Sequence, residues 1–518
     1  MKKMSYLGRV FVLMLAAGMT ACSSDDDNNG NSGNGGGPSA GYVWTEDGGL
    51  RACDHLLFNA DGSENPSGTE IGNGDQQFVF TGKQTLKKGT YTLKGWVYIA
   101  AGAELTIEPG TIIKGDKQTK AALIAERGGK LIAQGTADEP IVFTSEQPKG
   151  QRKPGDWGGV ILCGKARNNQ TEMQIEGGPR TKHGGDNDAD NSGVLSYVRI
   201  EFAGYPFEKD KEINGLTLGS VGSGTKVDHV QVSYSNDDSY EWFGGTVSCR
   251  YLVAYHGWDD DFDTDNGFSG NVQFGLAVRN SRIADTSQSN GFESDNCADG
   301  STVTPYTTAT FSNITFVGPK ADAGFVNDMS YITGGAFNPN NGAALGKFQS
   351  AIQIRRSSRL NCVNSVAVDW PIGLILDGEK GDTRQQAEAG NIRLQNIWFA
   401  NMDAVGTDAN KVYADSLVTG YDSDKKPIID PTQTSLSSRF FLAQTGNRYL
   451  ADKSELMLAD PVSAGSPFMP QAGSPLLTAA AFNGLDSWFT QVAYIGAFAA
   501  DDNWMQGWTN FDPQNADY

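Results

Sequence analysis

Histidine is close to missing from this chain: His55, His183, His229 and His256 are the four that stand among 518 residues. No two of them lie at metal-ligand spacing, which argues against transition-metal catalysis. Cysteine is scarce too, and none of Cys22, Cys53, Cys163, Cys249, Cys297 and Cys362 forms a CxxC pair, so zinc-ribbon spacing is absent. An odd number of thiols follows Cys22, which leaves at least one free if the others pair, and Cys163 and Cys249 beside apolar runs read as small core residues. Positive charge falls short of negative, 41 Lys and Arg against 61 Asp and Glu, for a net charge of −20. That balance argues against nucleic acid or anionic headgroups as partners and favours divalent cations, or ligands they bridge. Apolar stretches of the roughly 20 residues needed to span a bilayer do not occur. Long apolar stripes of helical period are missing as well, while 64 glycines mark many corners, so helical and α/β architectures fail on turn chemistry.

What is present begins with a leader. Lys2, Lys3 and Arg9 precede the apolar run Val10 to Met19 and small residues ending at Ala21, the layout of a secretory signal over residues 1–21. Met19-Thr20-Ala21-Cys22 resembles the lipobox of bacterial lipoproteins, with Met19 in place of the usual Leu. The resemblance implies acyl chains on Cys22 as the membrane anchor, several chains together holding where one alone is marginal. Residues 22–40, rich in Gly, Ser and Asn, read as a flexible tether. Its acidic start, Ser23-Ser24-Asp25-Asp26-Asp27, is similar to the surface-export tag of Bacteroidota lipoproteins, which implies an outer-membrane protein exposed at the cell surface. Gly37-Pro38-Ser39-Ala40-Gly41 fits the GxSxG pattern of hydrolases, but no strand precedes it and no helix follows, so the fit is chance.

The remaining body, residues 41–518, carries a recurring short strand of alternating apolar residues followed by an Asn- or Asp-rich turn. Val198–Phe202, Val230–Tyr234, Leu252–Tyr255, Leu276–Val278, Ile314–Phe316, Val366–Val368 and Ile397–Phe399 all show it. Taking Val232, Val253 and Leu276 as equivalent gives steps of 21 and 23 residues, and Ile354, Ile375 and Ile397 give 21 and 22. This period predicts an all-β, right-handed parallel β-helix, a solenoid whose longer gaps are loop insertions. A β-propeller would need blades of about 40–50 residues and hairpin signals.

Several passages then carry a resemblance. Gly155-Asp156-Trp157-Gly158-Gly159, Gly193–Gly204, Glu241-Trp242-Phe243-Gly244-Gly245, Asp259–Asp263, Tyr494–Phe498 and Gly507–Asp512 look like a group of Bacteroidota β-helical surface lipoproteins. The likeness spans nearly the whole body and implies fold and location; the group brings no assigned activity.

Chemistry points to clustered carboxylates. Asp237 and Asp238 follow one predicted strand, and Asp259, Asp260, Asp261, Asp263 and Asp265 follow the next, so their turns are expected to stack about one coil apart. Glu293 and Asp295 are placed to extend the cluster. Such a stack offers the oxygen-rich shell of calcium, and Asp186, Asp188 and Asp190 form a second candidate that lacks the Gly and Glu of an EF-hand. Solvated Asx turns at coil corners would give the same composition. The order Asp237-Asp238, His256-Gly257, then Arg279 or Arg282 also resembles that of polygalacturonases, without their upstream Asn-Thr-Asp and following Arg-Ile-Lys elements, and makes Asp237, Asp238, Asp260, Asp261, His256 and Arg279 the candidate catalytic set. Trp242, Trp258 and Phe262 are candidate sugar-stacking rings, and equally candidate core residues. The reading drawn is a surface binding or accessory lipoprotein, for a glycan or nutrient and beside an outer-membrane transporter. A β-helix polysaccharide hydrolase or lyase and a structural or adhesive protein are the alternatives.

Overall fold

The computed structural model describes residues 42–44, 51–170, 173–175, 180–208, 211–410, 412–459 and 468–518. Cys22, the leader and the tether lie outside them. Two long sheets, of 13 and 16 strands, run side by side through the body, and nearly all their pairings are parallel between successive coils. Parallel neighbours require the chain to return after every strand, and the right-handed return used here is that of a β-helix. Among the described residues no helix is long and apolar enough to cross a membrane.

The longer sheet is really two faces meeting at a corner. In the early coils Lys130–Gln134 and Ile141–Ser145 are separate strands, yet both pair with the single strand Gly193–Glu201 of the next coil. The corner falls on Tyr197, where φ is +53°, and it recurs at His229, Tyr251 and Phe274 with φ of +50°, +58° and +63°. A left-handed backbone is costly for such residues. Stacking offsets the cost: ring centroids lie 4.2 Å apart for Tyr197 and His229, 4.4 Å for His229 and Tyr251, and 5.1 Å for Tyr251 and Phe274. In the later coils the corner passes to Asn313, Asn364 and Asn396, a residue type that tolerates this conformation.

All seven strands picked out by alternation belong to this longer sheet. Their register corrects the sequence alignment by one residue: Val232 pairs with Ala254, whereas Val253 pairs with Leu276. Because side chains alternate, that slip moves a residue to the opposite face. Val232 points into the coil, and Val253 and Leu276 point outward into a second apolar cluster. Likewise Ile354 pairs with Leu376 and not Ile375, and Ile397 lies on the other sheet.

That outward cluster is covered by the chain's own end. Leu456, Phe468, Leu476, Ile495, Phe498 and Trp508 pack on Val253, Leu276, Val317, Val366 and Trp398. The segment runs back along the solenoid, clipped to successive coils by amide side chains. Asn364 donates to the Ala481 carbonyl and accepts its N–H. Gln273 does the same with Thr490 and Gln231 with Asn510, at 2.7–2.8 Å. Finally, the Arg152 guanidinium donates to the carbonyls of Pro513 and Ala516.

Inside the coils the shorter sheet contributes an aromatic ladder. Tyr240 pairs in register with Phe262, and Phe262 with Phe292, all three fully buried. Trp242 and Trp258 are equally buried. Rings with no exposed surface cannot stack on a sugar, so Trp242, Trp258 and Phe262 are core residues and not ligand contacts. The five described cysteines are buried and unbridged, Cys163 and Cys249 among them.

Candidate functional site

The outer face of the shorter sheet changes along the solenoid: in the early coils Val79, Tyr98, Ile124 and Ile161 are buried there with Ile175 and Ile213, whereas the coils that follow carry acids. Its strands Tyr240–Phe243, Phe262–Asp265 and Phe292–Ser294 send alternate residues outward, and the register places Glu241, Asp263 and Glu293 side by side on successive coils. Asp263 and Asp265 therefore stand on a strand, not in the turn the sequence suggests. A groove of about 750 Å³ runs over this face, with Asp237, Asp238, Asp259, Asp265, Asp285 and Asp295 also lining it. Pro206, Phe207 and Phe243 form an apolar wall, and Asn341 to Ala344, from the insertion before Ser350–Ile354, form another.

Within the groove two carboxylate triads share one member. Ligand oxygens of Asp237, Asp238 and Asp259 lie within 4.8 Å of one another, and so do those of Asp238, Glu241 and Asp263. Asp238 is held in place by the Asp260 N–H, which donates to its Oδ1 at 2.8 Å. Ser287 donates to Asp259 Oδ2 at 2.7 Å, and Asn214 donates to Glu241. Asp259 Oδ1 and Asp263 Oδ1 are buried without a hydrogen-bond partner. At the far end Arg355 pairs with Glu293 and, at 2.8 Å, with Asp295, which Arg356 also holds at 2.6 Å.

Charge crowding here leaves a signature on proton affinity. Burial first, and then the neighbouring carboxylates, drive the Asp238 and Asp263 carboxyls well above the usual range. The same two causes raise Asp259 and Asp285 to about 7 and Asp260 to about 8. Burial raises Asp265 to about 6. Like-charged acids brought together in a poorly hydrated place either keep protons or gather a cation.

The structure brings together Asp237, Asp238, Asp259, Asp263, Asp265, Glu293 and Asp295 from the sequence-predicted set. It does not add the rest of the catalytic candidates. Asp261 and Arg279 form an ion pair of 2.9 Å whose side chains have no exposed surface, and Phe348 lies over the guanidinium. His256 sits at a coil corner, stacked on Tyr255 and hydrogen-bonded to the Tyr234 hydroxyl, and burial pushes it down to about 3. Asp260 is buried behind the groove, where its carboxylate caps the Asn290 N–H. These four stay out of the groove for a physical reason: each already has a partner and none lines it. Asp186, Asp188 and Asp190 do not form a cation loop either. Asp188 pairs with Arg167, Asp190 accepts the Lys165 N–H, and Asp186 is exposed.

Sequence reasoning missed Glu241, Asn214, Asp285, Arg355 and Arg356. Glu241 could have been found, since it stands 22 residues before Asp263 at the same strand position. The arginines could not, because the long insertion after Asp295 hides their register.

Comparison with known proteins agrees with the architecture. The chain matches the family described as pectate-lyase-like β-helix domain over residues 79–431, and it belongs to that family. Among curated proteins none matches the sequence. Of solved structures, the crystal structure of the Dettilon tailspike protein is similar at 10% identity, covering 72% of this chain and 62% of that one, with a TM-score of 0.21.

Proposed function

We propose that this protein captures acidic polysaccharide at the cell surface through calcium held in the groove by Asp237, Asp238, Asp259, Glu241 and Asp263. The observation that carries the reading is the pair of carboxylate triads sharing Asp238. An all-oxygen, multiply charged donor set suits a hard cation, and calcium takes six to eight oxygens. The buried, partnerless oxygens of Asp259 and Asp263 fit that ion. When bound, it supplies charge that carboxylates of a ligand could share, while the Phe207 and Phe243 wall gives a sugar ring an apolar surface.

Membership of a pectate-lyase-like family keeps cleavage as the second reading. These oxygens crowd within 4.8 Å, which disfavours an inverting pair of carboxyls about 6.5–9.5 Å apart with a water between them, while the roughly 5–5.5 Å spacing of a retaining pair belongs to the cleavage reading. Display rests on the lipobox-like Cys22 and the tether behind it, which would anchor the body to the outer membrane, with a transporter as neighbour.

Calorimetric titration of calcium into the purified chain, repeated with Asp238→Asn/Asp263→Asn, tests the site. Heat that disappears in the double variant supports it; equal heat in both would overturn it. Retention on an acidic-polysaccharide column should then require calcium. Release of unsaturated sugar products, read by ultraviolet absorbance, would replace capture with lyase cleavage.

A further inference from the structure

A second donor cluster lies at the beginning of the body, away from the groove residues in sequence and unlike them in chemistry. Cys53 ends the strand Arg51–Cys53, is fully buried, and is fixed by parallel pairing with Phe80. The chain then turns so that the His55 ring reaches back, its Nδ1 standing 3.1 Å from Cys53 Sγ. Asp54, between them, places Oδ1 3.3 Å from the same nitrogen. Sulfur, nitrogen and oxygen donors of the three residues all lie within 4.8 Å of one another. Behind the ring, Glu64 Oε2 stands 3.6 Å from Nε2, and Phe58 packs near its face with centroids 5.4 Å apart.

We infer that Cys53, Asp54 and His55 bind a divalent transition metal of zinc's class, with Glu64 as the positioning residue for the imidazole. Three features lead there. Thiolate and imidazole select a softer ion than the calcium suited to the groove, and zinc takes S, N and O donors together. Cys53 Sγ stands 3.1 Å from Nδ1 and 3.3 Å from Nε2 of His55, and Glu64 Oε2 lies 3.6 Å from Nε2, so with Nδ1 on the metal a small ring rotation would bring the Nε2–H to the Glu64 carboxylate, which fixes a ligating ring and raises its basicity. The exposure is graded: Cys53 is buried, the His55 side chain is 21% exposed and that of Asp54 is 72% exposed, so an ion can enter from the Asp54 side. Three protein ligands leave a fourth position to water. Binding transfers the Cys53 thiol proton to solvent, so affinity rises with pH. Counting histidine pairs overlooks such a site because the partner of His55 is a thiol.

Cobalt(II) is the probe, added to the reduced, chelator-stripped full chain. One equivalent should give sulfur-to-cobalt charge-transfer absorption in the near ultraviolet, displaced by one equivalent of zinc. Cys53→Ser should abolish that absorption and His55→Ala should weaken binding at least about tenfold. Asp238→Asn in the groove should leave the sulfur-to-cobalt absorption and its zinc displacement as they are while it removes the calcium heat, which separates this site from the calcium reading. Should Cys53→Ser fail to fold, Glu64→Gln keeps the thiol and is expected to weaken binding about 10–100-fold. Absence of charge-transfer absorption in the unaltered chain overturns the inference. So does absorption that persists in a folded Cys53→Ser protein or at full affinity in Glu64→Gln.

Discussion

The outer faces of the two sheets are built from the same coils yet have opposite fates. On the longer sheet the outward positions are Val253, Leu276, Val366 and Trp398, and the last residues of the chain lie over them. On the shorter sheet, in the coils from Tyr240 to Ser294, the outward positions are Glu241, Asp263, Asp265 and Glu293, and a groove lies over them. Both faces alternate in the same way, and what differs is only the residue type at every second position. A solenoid thus separates stability from binding by face: one side is closed by an apolar strap, and the other gathers carboxylates, with Arg355 and Arg356 paired to Glu293 and Asp295 at one end.

The strongest way to break this contrast is to damage the strap. Trp508 is fully buried against Tyr197 and His229, with edge-on ring centroids at 6.0 and 5.7 Å. Trp508→Ala is expected to destabilise the body by about 3–5 kcal/mol, the range for removing a large buried aromatic. Phe243→Ala, on the half-buried groove wall, should cost much less. Thermal melting of the two variants side by side checks this, and equal losses would show that the strap is not a structural cover.

Next in size is the interior pair behind the groove. Arg279→Met leaves the Asp261 carboxylate buried without its counter-charge, a loss of about 3 kcal/mol at pH 8. Burial already lifts Asp261 to about 6, and the variant lifts it further, so at pH 5 the acid is neutral and the loss should shrink. Denaturant unfolding at the two pH values measures the difference. A variant that stays stable but loses polysaccharide cleavage would instead restore Arg279 to a catalytic role.

How far the sequence revealed this arrangement depended on strand length. Strands of the longer sheet such as Gly193–Glu201 run 9 residues, enough for alternation to stand out. Those of the shorter sheet run 3 to 5 residues through the groove region, and Phe262-Asp263-Thr264-Asp265 reads by composition as an acidic turn. Alternation also leaves open which set faces inward: Trp242 and Phe262 were equally consistent with a sugar platform until the register buried them. Arg355 and Arg356 stayed hidden because Phe292 pairs with Ile352 across a 60-residue step, far from the 22-residue period. The carboxylate cluster itself was legible, since charge of one sign at one repeat spacing survives any error in the element boundaries.

The open face makes a prediction about protons. A carboxyl whose folded value is raised above its unfolded value of about 4 adds stability at low pH and loses it as pH climbs through the folded value. For Asp259, Asp285 and Asp260 that window is about pH 4 to 8. In chelator the melting temperature should therefore fall between pH 6 and pH 8, and calcium should cancel the fall by stabilising the ionised forms. Asp238→Asn keeps an oxygen for the Asp260 N–H and removes one of the crowded carboxyls, so in chelator the fall should become smaller. The same change should abolish the calcium effect. A melting temperature that rises with pH in chelator would show that the acids are already compensated within the fold.

The smallest expected effect comes from the other acidic loop, and it sharpens the contrast between composition and geometry. Asp186, Asp188 and Asp190 alternate much as Asp259, Asp261 and Asp263 do, yet Asp188 is spent on Arg167 and Asp190 on the Lys165 N–H. Exposed ion pairs contribute little, and solvent screening weakens the pair further for a side chain as open as Arg167. Asp186→Asn/Asp188→Asn should accordingly shift the melting temperature by no more than about 2 °C and leave the calcium heat unchanged. Calorimetry on this double variant beside Asp238→Asn/Asp263→Asn decides whether position in the groove, rather than the density of aspartates along the chain, makes a cation site. Loss of calcium heat from the loop variant would move the site to the loop and return the groove to solvated acids.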